Sequence, residues 1–301
     1  MNRRLKILTV AIICGVAVCL IYLLFPSEPR AHGHSLSTWL SVVIARLDPS
    51  DQTYPDLSSA DATNAIRQIG SNAVPILLSK LWSTDPTWKL SFLEWLREKD
   101  VIDLRSKWYN RERGEALVGI QILGPEARNA IPDLKHWLSD SNSTQIAAIA
   151  LASLGTEGIP ALREALSHSN AAIRYAAVNA PYFRREIAPL MLNDILRMTN
   201  DPDPRITRTA LMHIGAFAPI EQSFPILTNY LYDPRLRDSA LSGLRRMGTN
   251  AQSATPHLLA LYHQQTPNLK PFILPVLRRT DPAAAEQLQN TNFTSTQTRK
   301  N

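Results

Sequence analysis

Cysteine is nearly missing from this chain. Its 301 residues hold two, Cys14 and Cys19, and both fall in an apolar run near the start. The rest of the chain therefore has no disulfide framework and no thiolate zinc site. No Gly-rich phosphate loop and no Gly-x-Ser-x-Gly nucleophile elbow occurs. The closest histidine pair, His32 and His34, lies in a polar linker without a third ligand nearby. His136, His168, His213, His257 and His263 are scattered, so no metal site is expected. Strong charge is also lacking. The formal net charge is +6, and half of it comes from the first 30 residues, which hold four basic residues and one acid. That balance is weak evidence for a polyanionic partner.

What the chain does have is helix-forming pattern. The clearest stretch is Ile146–Leu166. Ala147 to Leu154 is alanine-rich and lacks strand alternation, which predicts a helix. Gly155 follows where a left-handed cap is easiest. Pro160 sits in the first turn of a second helix, where its missing N–H costs nothing. Leu162, Ala165 and Leu166 then fall at helical spacing, with Arg163 and Glu164 on the other side. The unit is a helical hairpin that needs neighbours of its own kind to bury its apolar faces.

Such neighbours recur. Pro75, Pro132, Pro160, Pro189, Pro225 and Pro256 mark the second helix of six copies. Two residues after each proline stand Leu77, Leu134, Leu162, Met191, Leu227 and Leu258. Six after stand Leu81, Leu138, Leu166, Ile195, Leu231 and Tyr262. These columns predict a buried stripe. Four after stand Ser79, His136, Glu164, Asn193, Asn229 and Ala260, five of them polar, which predicts a solvent face. Gly70, Gly124, Gly155, Gly215 and Gly248 are expected to end the first helices. Pro181 predicts a shortened or irregular first helix in the fourth copy. Asp-Pro pairs, such as Asp201-Pro202 and Asp233-Pro234, mark turns between copies.

The flanks read differently. Arg3, Arg4 and Lys6 precede Ile7–Phe25, nineteen residues without a charge. As a helix this run covers about 28 Å, close to the ~30 Å of a bilayer's hydrocarbon. It is expected to be an uncleaved transmembrane anchor with a cytoplasmic N-terminus, leaving the bulk on the extracytoplasmic side. Residues 1–25 are thus a stub and anchor, 26–34 a linker, and 35–56 a capping helix and loop. Residues 57–287 form the repeat array, and 288–301 a disordered tail rich in Asn, Thr and Gln. Within the array, residues 82–113 break the period. All six tryptophans lie before residue 138, as a bulky N-terminal cap or an aromatic binding patch would require.

The Ala-rich first helix, the glycine turn and the Pro-x-Leu start, clearest at Ala147–Leu166 and Ala116–Leu138, resemble the HEAT-repeat family. The similarity is to its short bacterial form, shared with the phycobilisome lyase-like repeats, and covers residues 57–285. Gly33-His-Ser-Leu-Ser-Thr-Trp39-Leu40 is also similar to an opening that precedes such repeats in anchored bacterial proteins. The resemblance implies an all-α, right-handed α-solenoid, with Arg174, Arg208 and Arg237 at the arginine position near the start of many such units. It implies protein binding as the usual work, with the second helices lining a concave surface, and no activity. On that surface the exposed residues expected to meet a protein partner are Lys135, His136, Arg163, Glu164, Asn193, Asn229 and Tyr230. No cofactor and no small-molecule substrate are expected. Nucleic acid is not expected either, because the second helices offer only Lys80, Lys135, Arg163 and Arg197. The alternative, a lyase-like enzyme or enzyme subunit, follows from the resemblance alone.

Overall fold

The computed structural model describes residues 28–46, 54, 56–82, 107–264 and 269–297. The expected anchor Ile7–Phe25 and most of the tryptophan-rich insertion lie outside these residues. No helix among the described residues is long and apolar enough to cross a membrane. The chain is mostly helical and falls into two compact units, Met1–Ala130 and Ile131–Asn301.

In the first unit, β1 (Arg30–Ala31) and β2 (His34–Ser35) form a small antiparallel hairpin within and just beyond the linker stretch. Ser35 Oγ then accepts the Thr38 N–H at 3.3 Å and caps α1 (Leu36–Ala45). Leu36, Trp39, Leu40 and Val42 of α1 are buried, and Trp39 Nε1 donates to the Ala31 carbonyl at 3.0 Å. The amphipathic pattern of this helix thus faces protein: α1 packs on α2 (Ser59–Ile69) and on α4 (Lys107–Leu123). A Ser58–Asp61 capping box starts α2. The next helix, α3 (Val74–Trp82), also packs on α4. There Glu115, only 4% exposed, pairs with Lys80 at 3.3 Å and accepts the Ser41 hydroxyl at 3.1 Å.

The second unit alternates first and second helices of the copies. In order these are α5 (Ile131–Leu138), α6 (Thr144–Ser153), α7 (Ile159–Leu166), α8 (Ala171–Phe183), α9 (Leu192–Met198), α10 (Pro204–Phe217), α11 (Ile220–Tyr230), α12 (Arg237–Met247), α13 (Thr255–His263), α14 (Lys270–Thr280) and α15 (Pro282–Gln297). The even-numbered helices α6 to α14 pack each on the next. Each odd-numbered helix from α5 to α13 packs on the even-numbered helix that follows it. Helix α15 extends past position 288, into the stretch for which composition predicts disorder.

The column pattern translates directly into burial. All twelve residues of the two apolar columns are buried, and every member of the four-after column is exposed, Ala260 included. Gly70, Gly124, Gly155 and Gly248 have φ between 53° and 63°, a region that is strained for residues with a Cβ. Each opens a short 3-10 turn before the next helix.

Three local expectations are corrected. Gly215 does not end its helix. It lies inside α10 with the Gly243 backbone of α12 directly beside it, so close that a Cβ would stand 2.3 Å from the Gly243 oxygen. Pro225 does not start its helix either. Helix α11 begins five residues earlier, at Ile220, and carries Pro225 inside, which accounts for the long spacing from Pro189. Pro181 does not shorten α8, which runs 13 residues with the proline in its last turn. The irregularity comes after it, in the 3-10 turns Arg185–Ile187 and Pro189–Met191.

Candidate functional site

The second helices α5, α7 and α9 bring part of the expected surface together. Lys135 Nζ of α5 reaches Glu164 of α7 at 2.6 Å, with both side chains largely in solvent. Arg163 Nε of α7 reaches Asp194 of α9 at 2.8 Å, and its Nη2 donates to the Leu190 carbonyl at 3.0 Å. Asp194, 6% exposed, also accepts from Arg197 at 2.6 Å. A cation three residues after the proline of one copy therefore meets an acid four or five residues after the next proline. Tyr230, half-buried on α11, donates its hydroxyl to the Thr199 carbonyl at 2.7 Å. Four of the seven expected surface residues are thus engaged between copies. His136, Asn193 and Asn229 are exposed and make no side-chain hydrogen bond among the described residues.

Two open hollows flank this line. One, of about 140 Å³, is bordered by Lys135, Glu164 and His168. His168 Nδ1 accepts the Asn170 backbone N–H at 3.0 Å. The other, of about 270 Å³, is bordered by Asp201, Tyr230, Asp233 and Arg235. The acids around it serve the turns. Asp201 binds Arg174 through both oxygens, at 2.8 and 3.0 Å, and that bond raises the arginine pKa. Arg174 also donates to the His168 and Ser169 carbonyls at 2.9 and 2.8 Å. Arg237 donates to the Leu231 carbonyl at 2.7 Å, and Arg208 to the Arg235 carbonyl at 3.3 Å. The arginine near the start of a repeat is here a clasp for turn carbonyls. Asp203 accepts the Arg205 side chain and backbone N–H, which hold its pKa at about 2. Among the described residues, no group of three or more His, Cys, Asp or Glu side chains is placed to hold a metal ion.

A second cluster, not expected from the sequence, lies at the C-terminal ends of the first helices. Tyr182 and Phe183 end α8, and their rings meet edge-on at 5.6 Å. His213 of α10 lies 6.1 Å from Tyr182 and stacks on Phe217 at 5.8 Å. Arg246 of α12 holds its guanidinium 5.9 Å from the centre of the Tyr182 ring, a cation–π arrangement. His213 is only 3% exposed, and neither ring nitrogen has a partner among the described residues. Burial, with the Arg246 charge adding to it, pushes its pKa down to about 4. The sequence signal for this cluster was the run Tyr182-Phe-Arg-Arg185 at a helix end.

Residues 145–168, which span α6 and α7, match the model of the PBS lyase HEAT-like repeat. No curated protein matches the chain. With the same hairpin repeated through the described residues, the chain is a helical-repeat scaffold.

Proposed function

We propose that this scaffold is a non-enzymatic, membrane-anchored interaction protein. In this reading the hairpins form a right-handed α-solenoid, Ile7–Phe25 anchors it with the N-terminus in the cytoplasm, and the solenoid binds a protein partner on the extracytoplasmic side. The observation that carries the reading is the four-after column, exposed at all six positions. An exposed column held in register by buried neighbours is the form that α-solenoids give to a binding surface. His136, Asn193 and Asn229 are the polar members that make no side-chain hydrogen bond among the described residues. The charge-free run behind Arg3, Arg4 and Lys6 supports the anchor.

The test compares partners recovered from cross-linked membranes by the wild-type chain and by a triple variant, His136→Ala, Asn193→Ala and Asn229→Ala. Loss of a specific partner supports the surface, and an unchanged partner set refutes it. Retention of the chain in alkali-washed membranes, with the solenoid open to external protease, checks anchor and orientation. The enzyme-subunit reading has one observation in its favour, the name of the matched repeat. A lyase-type role predicts a bound chromophore or a ligand-sized pocket holding several polar groups, and visible absorbance of the purified chain tests the first.

A further inference from the structure

The arginines of the second unit divide by what they bind. Arg163, Arg174, Arg184, Arg197, Arg205 and Arg235 are bound to acids. Arg185, Arg245, Arg246, Arg278 and Arg279 are exposed, and none forms an ion pair among the described residues. Of the second group, Arg245, Arg246, Arg278 and Arg279 lie in the last turns of α12 and α14, and Arg185 lies two residues past the end of α8. These ends are neighbours: Arg246 reaches Tyr182, Gly215 lies against Gly243, and the Thr255 hydroxyl, beyond the turn that follows α12, donates to Asp281 at the end of α14. An open groove of about 190 Å³ runs back from Arg245 toward Asp238, with Phe272 and Pro275 of the first half of α14 on its other wall.

The helix macrodipole by itself favours cations in a last turn, which accounts for Arg245, Arg246, Arg278 and Arg279. It does not call for exposed aromatic rings beside them. Tyr182 is 45% exposed and Phe183 49%. Acids at the edge do not balance the charge. Glu186 pairs with Arg184 at 3.4 Å. Asp281 is held by the Thr255 hydroxyl and the Ala284 N–H at 2.9 and 3.1 Å. Asp238 sits at the far end of the groove, and Glu221 is exposed at the start of α11. Surface arginine interleaved with aromatic side chains is the composition of protein-binding hot spots. Unpaired guanidinium groups select carboxylates, and Tyr182 and Phe183 add flat apolar contacts for rings.

We propose that the C-terminal edge of α8, α10, α12 and α14 is a second docking surface, and that its occupant is an acidic peptide segment bearing aromatic residues. The carboxylates meet Arg245, Arg246 and Arg185, and the rings pack on Tyr182 and Phe183. This surface is separate from the four-after column. The triple alanine variant on the second helices leaves it intact, so the two readings fail independently.

The probe is a short fluorescent peptide alternating glutamate with phenylalanine, titrated by anisotropy into the full chain in non-ionic detergent. Saturable binding that weakens with salt is expected. Arg245→Glu with Arg246→Glu, and separately Tyr182→Ala with Phe183→Ala, are each expected to weaken it about tenfold or more. Wild-type affinity in both variants overturns the proposal. So does equal binding of a peptide with alanine for phenylalanine, which would reduce the edge to bulk charge. Tighter binding of a single-stranded oligonucleotide, or of phosphatidylglycerol vesicles, than of the peptide also overturns it. Circular dichroism melts check folding, and Arg245→Gln with Arg246→Gln replaces the charge reversal where that variant melts early.

Discussion

The α6–α7 hairpin and the α10–α11 hairpin are two copies of one unit with different joints. In the first, Gly155 turns the chain at φ 63°, a 3-10 turn follows, and Pro160 stands in the first turn of α7. In the second, no glycine turns the chain. Ala218 and Pro219 are extended, α11 starts at once, and Pro225 is five residues into it. Both copies nonetheless bury the same columns: Leu162 and Leu166 in one, Leu227 and Leu231 in the other. Register in this array is therefore held by the packed stripe, and the joint adapts to it. Freedom at the joint also changes what a glycine is for. Gly155 supplies a backbone angle, whereas Gly215 supplies the absence of a side chain where α10 meets α12.

The largest expected effect sets those two glycines against each other. In Gly215→Ala the new Cβ would meet Gly243 oxygen, carbonyl carbon and Cα at 2.3 to 2.5 Å. Backbone atoms cannot rotate away, so the helices must separate, at a cost of about 3 kcal/mol. In Gly155→Ala the Cβ meets nothing within 4 Å, and only the left-handed angle is strained, at about 1 kcal/mol. Urea unfolding followed by circular dichroism measures both. Equal losses would mean that the close approach of α10 and α12 is not what Gly215 provides.

The same contrast explains what could be read in advance. Periodic apolar columns are a local property of the chain, so every buried stripe from Leu77 to Tyr262 was legible. A glycine near the end of a helical pattern fits a cap and a helix crossing equally well, so Gly215 was misassigned. Exposure of the four-after column was legible for the same reason as the stripe. Its pairing was not, because Lys135 and Glu164 are 29 residues apart and meet only once two copies are packed in register. The arginine edge was missed because its members sit at the ends of first helices, while the expected surface lay on second helices.

Acid offers a finer comparison. Helix α6 contains no titratable side chain, whereas α10 buries His213. The folded pKa of His213 is lowered from 6.5 to about 4. Between those values the unfolded chain binds a proton that the folded chain refuses, so stability falls as pH drops from about 6.5 to about 4. The group facing the ring that opposes its charge is Arg246, with Tyr182 and Phe217 as the aromatic walls. The loss amounts to at most about 3 kcal/mol. Denaturation midpoints across this range should slope for the wild type and flatten in His213→Phe. An unchanged slope would place the acid sensitivity elsewhere.

The smallest effects separate two ways of joining second helices. In the α11 copy, the Tyr230 hydroxyl closes on a backbone carbonyl of the preceding copy and is half-buried. Tyr230→Phe leaves that carbonyl with one donor fewer and is expected to cost about 1 kcal/mol. In the α5–α7 pair the join is Lys135 to Glu164, with side chains 42% and 66% exposed. Water competes for both charges, so Lys135→Ala is expected to cost under about 0.5 kcal/mol, and salt should erase it. Denaturation at low and high salt distinguishes the two joins. A salt-insensitive loss for Lys135→Ala equal to that of Tyr230→Phe would make Lys135 and Glu164 a structural staple. The small, screened loss expected here would leave both residues able to exchange each other for a partner's charges, beside and within the four-after column.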